Sequence, residues 1–280
     1  MKDKFYKRIL TIQDISCVGQ CSLTVALPIL SACGLETAVL PSAVLSTHTA
    51  GFNGYTFRDL TEDIPDIAEH WRSEGISFDS VYTGYLGSSK QIEYVKGIIS
   101  SLMREGGISI VDPAMADNGK LYPAFDSEYV RNMKSLAFSA DVIVPNITEA
   151  CMLADYEYLE KYDEPYIRKL LEKLSELGAS KIVLTGVGFK EGKTGVAVME
   201  DGVYSYYEHE RIADGCHGTG DVYASAFVGA LLSGKNIYDS ASLAADYTVL
   251  CIRNTSGDSS HWYGVKFEPE LSYLIARCRQ

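Results

Sequence analysis

No C-x-x-C pair occurs among the seven cysteines, Cys17, Cys21, Cys33, Cys151, Cys216, Cys251 and Cys278. Scattered and odd in number, they support neither a zinc site nor a disulfide framework. Most read as small buried apolar residues, with Cys216 set apart by its neighbours. No apolar run reaches the roughly 18 residues of a membrane span, and the opening MKDKFYKRILTIQD lacks the apolar segment of a secretory signal. A cytoplasmic chain without a membrane partner is expected. Cations are scarce, with 25 Lys and Arg against 37 Asp and Glu for a net charge of −12. That excludes nucleic acid as a partner, because neutralising phosphates needs clustered Lys and Arg. A small anionic ligand is still allowed, since backbone N–H groups and Mg²⁺ hold anions whatever the overall charge. A Walker-type GxxxxGK[ST] is absent too. Its nearest look-alike, GFKEGKTG at 188–195, lacks the correct spacing, so a nucleotide has to be held in another way.

What is present is an alternation of short apolar runs with longer segments of helical period, the pattern of a layered α/β fold around a mostly parallel sheet. Strands are expected at 8–13, 36–41, 80–85, 108–113, 141–146 and 181–186, and helices at about 22–33, 63–75, 89–105, 127–138, 147–155 and 164–177. Pro28 predicts a kink or a short start in the first helix. A hairpin is expected from TGVAVM (194–199) and VYSYYE (203–208), joined by Glu200-Asp201-Gly202. Helices come next at 219–233, 238–253 and 268–278. With no repeat, low-complexity tract or Pro/Gly/Ser-rich linker, a single domain over 1–280 is the simplest organisation.

Ligands of open α/β sheets bind beyond the carboxyl ends of the strands, which directs attention to the polar runs there. GCHGTGDVYASAFVGALLSGK (215–235) places glycines and Asp221 ahead of a buried helix. A helix N-terminus favours an anion; the same run reads equally as a glycine turn with an aspartate stabilising the first helical turn. IVDPAMADNGKLY (110–122) carries Asp112 and Asp117, two carboxylates suited to Mg²⁺ through waters, or to an ordinary Asp/Asn/Gly turn. In VPNITEACML (144–153), Asn146 and Glu149 have the spacing of a capping box. SAVLSTHTAGFNGYTF (42–57) reads either as a mobile cover for a small ligand or as a plain surface loop. Tyr85, just past a strand, is placed to stack on a flat ring or to sit in the core.

Taken together and in order, IQD, CSLTVALPIL, STHT, TGYLGS, VDPAMADNGKLY, PNITEA and HGTGD resemble the ribokinase-like superfamily, and within it the vitamin B6 (pyridoxal/pyridoxamine) kinase branch. The resemblance covers about residues 8 to 235 and implies a three-layer αβα fold with a central mostly parallel sheet. It also implies transfer of the γ-phosphoryl of ATP to the hydroxymethyl group of a B6 vitamer, with Mg²⁺, in a homodimer. Asp221 would then be the base, with the N–H groups around Gly218, Thr219 and Gly220 as anion hole. Asp112, Asn146, Thr185, Gly186 and Thr219 would serve ATP, Asp117 and Glu149 the metal, and Asp14, Val18, Thr49 and Tyr85 the ring site. Two departures bear on this. Asp14 stands where B6 kinases often have serine and where hydroxymethylpyrimidine kinases have aspartate, and His217 is similar to the HGTG of the latter. Val144 replaces a threonine that helps bind a monovalent cation, leaving a K⁺ or Na⁺ requirement open. The alternatives are a hydroxymethylpyrimidine or sugar kinase, and a small-molecule-binding regulatory relative without catalysis.

Phosphoryl transfer asks for alignment and charge stabilisation more than covalent work. A helix N-terminus is expected to depress the pKa of Asp221 and make it a weak base. A carboxylate at Asp14 would favour amine-bearing substrates by pairing with a cationic nitrogen, unless it is bonded within its own strand end.

Overall fold

The computed structural model describes residues 6–212 and 216–279; Gly215, which opens the glycine run, lies outside them. In chain order the described elements begin with β1 (Arg8–Ser16), α1 (Leu23–Ala32), β2 (Glu36–Leu45), β3 (Phe57–Asp59), α2 (Ile64–Ser73), β4 (Phe78–Thr83), α3 (Ser89–Leu102) and β5 (Met103–Val111). The chain continues through β6 (Ala116–Asp117), β7 (Lys120–Leu121), α4 (Ser127–Ala137), β8 (Val142–Ile143), α5 (Ile147–Ala154), α6 (Glu164–Glu176) and β9 (Lys181–Thr185). The last are β10 (Lys193–Glu200), β11 (Val203–Glu210), α7 (Thr219–Leu232), α8 (Ile237–Thr255) and α9 (Leu271–Cys278).

Nine strands form one sheet in the order β11-β10-β9-β8-β5-β4-β1-β2-β3. The pairs from β2 across to β9 are parallel, and antiparallel strands close both edges. Period-two alternation divides the core. Ile182 and Leu184 of β9 face one apolar layer with α2 to α6, while Val183 faces another with α1, α7, α8 and α9. The result is the expected αβα sandwich, with its loops gathered beyond the carboxyl ends of β1, β4, β5, β8 and β9.

Local chemistry explains most boundaries. Asp126 and Asp163 cap α4 and α6 by accepting backbone N–H bonds. The hairpin turns at Asp201 and Gly202, both with positive φ, as a two-residue loop of this hand requires. Helix α1 includes Pro28 in its interior. Two expectations are corrected. The helix expected over 89–105 stops at Leu102, because Met103 pairs with Phe78 and starts β5 there. The cysteines are not mostly buried: Cys151, Cys251 and Cys278 are, Cys17 is exposed, and none of the seven forms a disulfide. Among the described residues no helix is long and apolar enough to cross a membrane.

Candidate active site

The α7 N-terminus begins at Gly218, whose φ of 79° is a left-handed conformation natural to glycine. A Cβ there would lie 2.0 Å from the carbonyl oxygen of Gln20, so this glycine is required by backbone packing. Gly220 differs: it is exposed, and a Cβ on it would meet nothing within 4 Å. Of the two, Gly220 is the one that leaves backbone open to a ligand. Thr219 ties its hydroxyl to the Cys216 carbonyl at 3.3 Å.

Asp221, in the first turn of α7, is half-buried. Its carboxyl is pushed up to about 6, first by desolvation and further by the charge of Asp14, against a hydrogen bond from the Ser22 backbone N–H. Burial thus overturns the expected depression, since loss of water outweighs the helix end. Asp112, just past β5, is also pushed up, by burial and then by the nearby charges of Glu149 and Asp221. Tyr122, to which sequence pattern alone assigned no role, lies within electrostatic reach of Asp112, Asp117, Glu149 and Asp221, and its phenol is pushed up by burial and by them.

The pair Asn146 and Glu149 forms the full capping box of α5: Asn146 Oδ1 accepts from the Glu149 N–H at 3.0 Å, and Glu149 Oε2 accepts from the Asn146 N–H at 2.9 Å. Glu149 Oε1 also accepts from the Met115 N–H at 3.1 Å. Both oxygens of the buried Glu149 are therefore occupied by backbone, and burial raises its pKa to about 8. Asp117 is exposed and accepts from the backbone and side chain of Asn118 at 2.8 and 3.0 Å. Among the described residues no group of three or more His, Cys, Asp or Glu side chains is placed to hold a metal ion. Asp117 and Glu149, which the resemblance assigns to the metal, thus stand in different settings, the first exposed in β6 and the second buried in the capping box of α5. Asn146 and Thr185 bridge at the ends of β8 and β9, and Gly186, with φ of 74°, presents exposed backbone beside them. The run at 188–195 leads into β10 rather than a helix, which removes the phosphate-loop look-alike.

On the ring side, Asp14 is 6% exposed and accepts from Ser22 Oγ at 2.6 Å and from Ser16 Oγ at 2.8 Å. Tyr85 is close enough to feel the Asp14 charge, and its ring lies 5.4 Å from that of Phe125. Val18 and Thr49 are exposed on neighbouring segments joined by the His48 N–H bonded to the Val18 carbonyl at 3.3 Å. The 42–57 run divides. Ser42 to Leu45 belong to β2, and His48 anchors the loop beyond it, accepting at Nδ1 from the Ala50 N–H (3.1 Å) and donating from Nε2 to the Tyr263 carbonyl (2.6 Å). Thr47 Oγ1 is buried there without a partner, another site feature that sequence pattern does not reveal.

Residues 32–264 match the family described as phosphomethylpyrimidine kinase. The chain belongs to that family, within the ribokinase-like superfamily. A solved structure of a candidate phosphomethylpyrimidine kinase from Bacteroides thetaiotaomicron is 34% identical, covering 98% of this chain and 96% of that one with a TM-score of 0.93. A second crystal form of that kinase contains pyridoxal and superposes with a TM-score of 0.91 over 96% of both chains. The pyridoxal kinase of Lactobacillus plantarum is 30% identical, covering 96% of this chain and 97% of its own, with a TM-score of 0.89. Over 189 residues, 65% of this chain and 67% of the relative, the sequence is 26% identical to the pyridoxine kinase of Bacillus subtilis.

Proposed function

We propose that the chain is an ATP-dependent kinase that phosphorylates the 5′-hydroxymethyl group of pyridoxal, pyridoxamine or pyridoxine. The observation that carries this reading is Asp221, a carboxyl with its pKa raised to about 6, one residue from the open backbone of Gly220. At neutral pH such a group is ionised yet a better proton acceptor than a free aspartate. In this reading Asp221 takes the hydroxymethyl proton, and the N–H groups of Gly218, Thr219 and Gly220 stabilise the moving phosphoryl. The ends of β8 and β9, with Asn146, Thr185 and Gly186, cradle the nucleotide beside Thr219 and Asp112. Val18, Thr49 and Tyr85 border the ring, with Asp14 beneath them.

Mg²⁺, when bound with ATP, offsets phosphate charge and keeps several waters. The donor set fits a hard cation held jointly with phosphates: Asp112 carries repulsion from Glu149 and Asp221 that a divalent ion would relieve, and Asp117 offers an exposed carboxylate. Glu149 would act on such an ion through the backbone it fixes.

A second reading, hydroxymethylpyrimidine kinase, is favoured by the family description and by aspartate at position 14. Steady-state ADP release with Mg·ATP and pyridoxal, pyridoxamine, pyridoxine or hydroxymethylpyrimidine, each with and without K⁺ or Na⁺, separates the two. The B6 reading expects the three vitamers to exceed hydroxymethylpyrimidine in kcat/KM. A preference for the pyrimidine would replace it, and no ADP release with any alcohol would leave a non-catalytic binding relative.

A further inference from the structure

The last turn of α9 meets the end of α1 through two sulfurs. Helix α1 buries Ile29 and Leu30, and its C-cap, Cys33, follows them at a spacing of four and three residues, on the same face. Helix α9 buries Leu274 and Cys278, again four positions apart. Both faces turn into the apolar layer that α7 and α8 complete. There the Sγ atoms of Cys33 and Cys278, 245 positions apart in the chain, stand 3.6 Å from each other as free thiols.

A third residue makes room for them. Gly229 lies in the interior of α7, where glycine is the least favourable residue short of proline. A Cβ on it would lie 2.4 Å from Cys33 Sγ and 3.0 Å from Cys33 Cβ, so any side chain at this position would push the thiol out of its place. The two thiols also differ in chemistry. Cys278 is held below the usual thiol range by its bond with Cys33 first and then, against burial, by Ser233 and the positive charge of Lys235. Cys33 is pushed up by the same bond and by burial. An S–S bond is about 2.05 Å long, so the sulfurs have roughly 1.5 Å to close between them.

We infer that Cys33 and Cys278 are a redox modification site: hydrogen peroxide joins them in a reversible disulfide that fastens α9 to α1. One thiol attacks the peroxide O–O bond, giving a sulfenic acid and one water. The second sulfur then displaces hydroxide from the first, and that hydroxide takes up the remaining thiol proton as a second water. Two thiols are oxidised to one disulfide while the peroxide is reduced to two waters. The link closes most of the chain into a single ring, which removes more freedom from the unfolded chain than from the fold. It also reaches towards the candidate site, since the turn that precedes α1 carries Gln20, whose carbonyl packs beside Gly218. None of this depends on which alcohol the protein phosphorylates.

The test treats the full chain with a small excess of hydrogen peroxide, blocks the remaining thiols and maps a digest without reduction. Expected are an intact mass lower by two hydrogens, a cross-linked peptide containing Cys33 and Cys278, a rise in Tm of roughly 5 to 10 °C and slower hydrogen exchange in α9. Dithiothreitol reverses all four. Cys33→Ser and Cys278→Ser each abolish the rise in Tm, whereas Cys17→Ser, which removes an exposed thiol, leaves it in place. Gly229→Ala, which displaces the Cys33 sulfur, slows the cross-link. Peroxide that leaves both thiols free, adds oxygen to either without joining them, or joins other cysteines instead would overturn the proposal, as would a linked protein with an unchanged Tm. The wild-type digest decides by itself if a variant does not fold.

Discussion

The carbonyl oxygen of Gln20 occupies the place where a side chain on Gly218 would begin, 2.0 Å from an ideal Cβ. Two turns almost 200 residues apart in sequence therefore share one wall. Gly218→Ala must displace backbone and also accept a strained φ, so it should lower thermal stability as well as turnover. Gly220→Ala has neither difficulty. Within the α7 helix it should raise stability by up to about 1 kcal/mol while turnover falls as the methyl obstructs the approaching phosphoryl. Unfolding curves and steady-state rates of the two variants check this; a fully active Gly220→Ala enzyme would mean that no ligand approaches there.

Asp221 gives a stability prediction independent of catalysis. Its carboxyl titrates near 3.8 when unfolded and near 6 in the fold, so the native state binds the additional proton between those values. Ionisation of this group opposes folding, fully above the upper value and not at all below the lower. Asp221→Asn should raise Tm at about pH 7.5, with a gain that shrinks as pH falls through 6 and is gone near pH 4. The same variant should reduce turnover by roughly 10²- to 10⁴-fold while ATP still binds. Calorimetry over this pH range, with nucleotide titration, measures both.

The capping box predicts different results for its two members. Asn146→Ala loses the bond to the Glu149 N–H and the one from Asn146 Nδ2 to the Ala116 carbonyl at 2.8 Å, and should cost about 1 to 2 kcal/mol. Glu149→Gln keeps one side-chain acceptor for backbone N–H groups and should cost less. If nucleotide lies against the end of β8, KM for ATP rises in Asn146→Ala more than in Glu149→Gln. Denaturant unfolding and ATP titration decide the order.

Much of this was legible in the sequence because it rests on local pattern. The helices at 127–138 and 164–177 end within one residue of α4 and α6, and the Asp201-Gly202 hairpin was fixed by turn chemistry. What escaped depended on distant partners. Residues 103–105 read as helix until pairing with β4 pulls Met103 into the sheet and Arg104 binds Asp79 at 2.7 Å. The sign of the Asp221 shift comes from water removed by segments far away in the chain. Both readings of Asp14 were open, because the hydroxyl that holds it belongs to Ser22, across a turn whose backbone no propensity foretells.

His48 fastens the loop that carries Thr49, through the Tyr263 carbonyl and a ring contact with Phe52 at 5.0 Å. His48→Ala should loosen that loop, raising KM for the alcohol several-fold with a smaller change in kcat, and speeding hydrogen exchange at the Ala50 amide. An unchanged KM would place the substrate away from Thr49.

The chain has two tryptophans, and they report on different places. Trp71 packs edge-on against Phe78 beneath the sheet, 5.4 Å between ring centres, whereas Trp262 leans on Phe52 at 4.7 Å beside the loop of Thr49. Silencing the first with Trp71→Phe leaves a protein whose remaining indole emission is a native optical gauge of that loop, readable in a stopped-flow cell without attaching any dye.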